Sequence, residues 1–151
     1  MESTQSPTDR PDEMPSHHIS VVVDAEPGAV YRYAADIDNL PRWAAGLASG
    51  VRRDGTDAVA ASPFGEVRVR FAPLNDFGVL DHDVTLPDGT VVNNPLRVLH
   101  HPDGAEVIFT VRRLDATEEQ FADDCAAVRD DLRRLRALVE ARSVGQTNED
   151  C

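Results

Sequence analysis

The sequence predicts an α+β fold in which about seven antiparallel strands form a curved sheet around one long C-terminal helix. Three observations carry this expectation. From Thr117 to Arg142 there is no Gly and no Pro, and Phe121, Cys125, Val128, Leu132, Leu135 and Val139 recur at spacings of four and three, which is one face of an α-helix. Roughly residues 47–113 break into short apolar runs separated by Gly, Pro, Asp and Asn. A helix with one apolar stripe must bury it, and that sheet is the only surface large enough. A sheet curved around a helix leaves space between them, so the layout predicts a small-molecule cavity there.

The elements follow in order. Residues 1–15 are rich in Pro, Ser and acids and are expected to be disordered. His18–Asp24 reads as a first strand. Glu26-Pro27 opens a helix whose inward face is Val30, Tyr33, Ala34 and Ile37, with Pro in the first turn where its missing N–H costs nothing. Asn39–Gly46 reads as a second short helix. Strands are expected near Ala48–Arg53, Ala58–Ala61, Glu66–Ala72, Phe77–Leu86, Thr90–His100 and Glu106–Arg113. The turns between them are marked by Asp54-Gly55, Pro63-Phe64-Gly65, Pro87-Asp88-Gly89 and Pro102-Asp103-Gly104. Thr117-Glu118-Glu119-Gln120 is a capping box for the long helix. That helix is acidic at its start and Arg-rich toward its end, which suits the helix dipole. Residues 143–151 form a second polar tail, so the expected domain is 16–142.

Composition excludes several functions. At 151 residues the chain is expected to be one domain with one core. The net charge is −12, and the acidity is not confined to the tails. An acidic domain without a basic stripe repels phosphate backbones, so nucleic acid is not an expected partner, and anionic membrane surfaces are disfavoured for the same reason. Every basic residue is Arg. Without Lys there is no Schiff-base chemistry from a side-chain amine, and Arg holds anions but does not act as a base. Cys125 lies on the helix stripe and Cys151 in a polar tail, an unlike pair that predicts a reduced, cytoplasmic protein. No basic region followed by an apolar run marks a signal peptide, and no segment reaches membrane-spanning length.

Strand, two short helices, about six antiparallel strands and a long helix make the helix-grip layout. Val21–Asp24 running into Glu26-Pro27, then Val30 and Tyr33, then Asn39-Leu40-Pro41-Arg42-Trp43, resembles the opening of many bacterial members of the START-like superfamily, also called SRPBCC or polyketide cyclase/dehydrase-like. Gly78–Val84, Asn94–Val98 and Glu106–Thr110 are similar to a bacterial subgroup labelled cyclase-like. The resemblance spans about residues 17–140. It implies a ligand-holding fold whose members include lipid carriers, plant ligand-binding proteins, aromatase/cyclases and chaperone cofactors, so it does not fix one function.

Alternation sorts the candidate residues by face. Val67, Val69 and Phe71 share the face expected to meet the helix, which sends Arg68 and Arg70 to solvent. On the next strand Leu80, His82, Val84 and Leu86 share a face, so His82 projects with the apolar set. A neutral imidazole there is the candidate base or hydrogen-bond partner, set against the reading of a satisfied core histidine. Arg97 is a candidate cation for a ligand anion, but Pro95 makes the following register ambiguous. Trp43 and Tyr33 are candidates for stacking and hydroxyl contact from the short helices, and Phe109 and Phe121 for the apolar lining. Adjacent His pairs point opposite ways, so His17-His18 and His100-His101 cannot chelate one metal, and neither a metal nor another cofactor is expected.

These readings converge on a protein, monomeric or homodimeric, that binds a small hydrophobic or aromatic molecule between sheet and helix, with His82, Arg97 or Tyr33 setting its orientation. The alternatives are a cyclase or dehydratase with His82 as general base, and a protein-interaction module.

Overall fold

The computed structural model describes residues 16–62 and 65–149, the last seven as helix backbone. The expected tail at 1–15 lies outside the described residues. In order, the elements are β1 (Ser16–Val23), α1 (Pro27–Ala35), α2 (Leu40–Trp43), β2 (Arg52–Asp54), β3 (Asp57–Ser62), β4 (Gly65–Phe71), β5 (His82–Thr85), β6 (Val91–Asn94), β7 (Leu96–His101), β8 (Gly104–Arg112) and α3 (Glu118–Glu149). This is the expected α+β layout of antiparallel curved sheet and long C-terminal helix, with eight strands among the described residues rather than about seven.

The strands form two antiparallel sets, β2-β3-β4-β5-β6 and β7-β8-β1. Pro95 is the reason for the break. Without an N–H it cannot continue the ladder, and its carbonyl accepts from Thr110 N at 3.0 Å in β8 instead. The expected strand Thr90–His100 is therefore two strands, but its alternation survives: Val92 and Asn94 lie on the same face as Leu96 and Val98. The expected strand Phe77–Leu86 is shorter than foreseen, because Gly78 takes the left-handed conformation at φ 73°. Residues 78–80 pair with β7, through Leu80 N to Leu96 O and Val98 N to Gly78 O, before His82–Thr85 joins the other set. One stretch of chain thus turns the corner between the two sets.

Asp81 fastens that corner. Its Oδ1 accepts from Leu96 N at 2.9 Å and from Arg97 Nε at 2.8 Å, and its Oδ2 accepts from Arg97 Nη2 at 2.7 Å. The Arg97 guanidinium beside it holds the carboxyl below the usual carboxylate range.

Shorter differences have local causes. The expected strand Ala48–Arg53 shrinks to three residues because a 3₁₀ turn, Ala45–Leu47, follows α2, and Gly50 at φ 115° delays the chain's extension. The capping box forms as expected, with Gln120 N donating to Thr117 Oγ1 at 3.1 Å and Thr117 N to Gln120 Oε1 at 2.9 Å. The helix backbone continues past Arg142, its expected end.

α3 packs mainly on β1, with further contacts to β8, α2 and α1. Phe121, Cys125, Leu132, Leu135 and Val139 are all buried, in one core with Ile19, Val21 and Val23 of β1 and Val107 and Val111 of β8. Val30, Tyr33 and Ala34 of α1 and Leu40 and Trp43 of α2 close its end.

The outer face of β3 and β4 carries a feature absent from the sequence reading. Arg68 and Arg70 are not merely solvated. Asp57, 2 % exposed, accepts from Arg70 Nε at 2.7 Å, Arg70 Nη2 at 3.0 Å and Arg68 Nη1 at 2.9 Å. Arg68 also pairs with Asp54 at 2.9 Å. Hydrogen bonds from Arg70 and Arg68 lower the Asp57 pKa to about 2. A carboxylate whose pKa falls on folding stabilises the fold above its unfolded value near 4, and that contribution fades as pH drops toward 2. Asp57→Asn is expected to lower the melting temperature at pH 7 and to flatten the loss of stability between about pH 4 and pH 2, read by thermal denaturation across that range.

Candidate functional site

α3 packs on β1 and β8 and makes no comparable contact with β4, β5 and β6, so the face of these strands that carries the core residue Val69 is left without a helix of that kind over it. Register puts Phe71, His82 and Asn94 side by side across the three strands, with Val69, Val84 and Val92 in the next row. Val69 is buried, but Phe71, His82, Val84, Val92 and Asn94 remain half-buried. Phe109 reaches the same place from β8, where it pairs with Ile19 and Leu96. The His82 ring lies 5.0 Å from the Phe71 ring and 5.7 Å from the Phe109 ring, edge-on to the latter.

The tautomer of His82 follows from its partner. Nδ1 lies 3.0 Å from Leu80 O. A carbonyl only accepts, so Nδ1 carries the proton and Nε2 keeps its lone pair. Burial pushes the imidazole pKa below its ordinary value, against smaller opposing effects from Leu80 O, Asp81 and Asp83. At neutral pH the site therefore presents a neutral ring nitrogen acceptor among aromatic side chains. Among the described residues nothing donates to that nitrogen.

Of the candidate residues, the structure brings together His82 and Phe109. Arg97 stands on the outer face of β7, half-exposed and engaged twice by Asp81. Trp43 is 4 % exposed in the core, its Nε1 without a hydrogen-bond partner among the described residues. Phe121, 6 % exposed, packs on the His17 ring at 4.8 Å. Tyr33, 5 % exposed, lies beneath the Arg142 guanidinium at 5.1 Å. Phe71 and Asn94 were not singled out by sequence. The signal that finds them is cross-strand register with His82, which needs the β4–β5 and β5–β6 pairings.

Two depressions mark the surface elsewhere. One of about 1000 Å³ runs between α1 and residues 74–78. The other, about 310 Å³, lies among Ala29, Arg32, Tyr33, Asp36, Asn39, Val139 and Arg142. Neither is lined by His82, Phe71 or Phe109. No helix among the described residues is long and apolar enough to cross a membrane.

No family model matches the chain, and no curated protein matches it. Solved structures do. The Aha1 dimer from Colwellia psychrerythraea is similar with a TM-score of 0.66 at 16 % identity, covering 84 % of this chain and 97 % of that one. The protein XoxI from Bacillus cereus gives 0.65 at 15 % identity, covering 83 % and 96 %. Ara h 8.0201 gives 0.60 at 11 % identity, covering 85 % and 99 %. At these identities the likeness is one of fold alone, and that fold is helix-grip.

Proposed function

We propose that the chain binds a small hydrophobic or aromatic molecule on the concave face of the sheet, against Phe71, His82, Val84 and Phe109. The observation that supports this most is His82 itself. A neutral imidazole, fixed through Nδ1 and free at Nε2, stands on a half-buried apolar surface. Apolar ligand surface supplies the affinity, at about 25 cal/mol per Å² removed from water. A hydroxyl or phenol donating to Nε2 sets the orientation. The ligand-binding reading is favoured over a cyclase or dehydratase. General-base chemistry at Nε2 needs a nearby cation or donor to hold the enolate; of the two residues expected for that, Arg97 is paired with Asp81 on the other face and Tyr33 is buried in the core beneath Arg142.

A thermal-shift screen against flat aromatic polyketides, fatty acids, sterols and plant-type phenolics tests the proposal. A ligand at about 100-fold excess over its Kd adds roughly 2.7 kcal/mol to the stability of the folded state. The expected result is a phenolic or polycyclic aromatic hit whose shift shrinks in His82→Ala. Binding is expected to weaken as pH falls below the ordinary histidine range, because protonated Nε2 no longer accepts. Absence of any hit, or a hit indifferent to His82→Ala, counts against the proposal.

A further inference from the structure

The loop between β4 and β5 displays two large apolar side chains on a rigid frame. Leu74 is 82 % exposed and Phe77 is 81 % exposed. Such exposure is ordinary on a loose loop, but this loop is tied at nearly every residue. Asn75 N donates to Tyr31 Oη at 3.0 Å. Asn75 Nδ2 donates to Pro73 O at 3.0 Å and Val79 O at 2.9 Å. Asn75 Oδ1 accepts from Phe77 N at 2.9 Å and Val79 N at 3.1 Å. A loop held open in this way has lost its conformational entropy before any partner arrives, which favours association.

The loop is itself one wall of the depression of about 1000 Å³, through Leu74 and Phe77; Tyr31 and Ala35 of α1 and Val98 of β7 also line it. The two sides carry opposite charge. Arg32 on α1 has no ion pair among the described residues, and neither has Asp76 on the loop, whereas Asp36 nearby is engaged by Arg53 at 3.3 Å. A loop wall bearing apolar side chains and Asp76, opposite an α1 wall bearing Arg32, is a self-complementary surface, since in a two-fold pair each loop meets the other copy's α1 wall.

We propose that two copies of the chain associate through this surface. The loop bearing Leu74 and Phe77 of each seats in the α1 groove of the other, and Asp76 of each faces Arg32 of its counterpart. The contact is of the small, reversible class.

Sedimentation velocity of the full chain over a wide concentration range tests this, with circular dichroism confirming that each variant folds. The wild type is expected to show a concentration-dependent dimer. Phe77→Ser is expected to weaken it about tenfold or more, as loss of an aromatic anchor does. Arg32→Glu and Asp76→Arg each weaken self-association, and mixing the two restores it, because the mixed pair regains both opposite-charge contacts. A monomer at every concentration, a dimer indifferent to Phe77→Ser, or a mixture no stronger than its components overturns the proposal.

Discussion

Leu135→Ala is expected to destabilise the protein by about 3 kcal/mol, enough to lower its melting temperature by roughly 10 °C in a domain of this size. Leu132 and Leu135 are both fully buried on the face of α3 that meets the core. Removing three carbons from Leu135 forfeits their transfer from water and leaves a void between helix and sheet that the packed neighbours fill only in part. Leu138 is the internal control. It sits three residues on, at the edge of the stripe, and is only partly buried. Leu138→Ala should cost clearly less in chemical denaturation. Equal costs at the two positions would mean that α3 is not seated on the sheet through the Leu135 face.

Gly78→Ala is expected to cost about as much for a different reason. Gly78 sits at φ 73°, and a Cβ there would fall inside contact distance of the Val98 carbonyl oxygen. Backbone cannot swing away as a side-chain tip does. Its neighbours are also fixed, because Val98 N donates to Gly78 O at 2.9 Å. The substitution therefore strains φ and breaks the pairing that carries the chain around the corner. About 3 kcal/mol is expected, seen as a lower denaturation midpoint. Gly46→Ala, with nothing within 4 Å of the added methyl and no positive φ, should be close to neutral. A benign Gly78→Ala would mean that residues 78–80 do not pair with β7.

Much of the fold was legible because period and punctuation are local signals. The stripe from Phe121 to Val139, the Pro27 helix start, the Thr117 box and the Pro-Asp-Gly turns each depend on a few adjacent residues, and each stands where expected. What could not be read depends on pairing at a distance. Asp57 looks like a loop acid until register sets it against Arg70 and brings Arg68 across the same carboxylate. Asp81, next to His82 in the chain, has no partner that alternation alone identifies. Its partner is Arg97, and that is visible only once Pro95 has split one strand into two. The same limit applies to the site. Alternation placed His82 with the apolar side chains, whereas its company of Phe71, Asn94 and Phe109 comes from three different strands. Tyr33 and Trp43 lie on the inward faces of their helices, and those faces meet the core itself.

The concave-face site is tested most directly by titrating the isotope-labelled protein with 2-naphthol, a flat phenol, and following amide and histidine ring signals by NMR. Free His82 is expected to carry its proton on Nδ1 and to stay neutral at pH 7, and the ligand is expected to shift Nε2 of His82 together with signals from Phe71, Val84 and Phe109. A His82 already protonated at pH 7, or perturbations that gather instead around Tyr31 and Phe77 in the α1 groove, would contradict the proposed site.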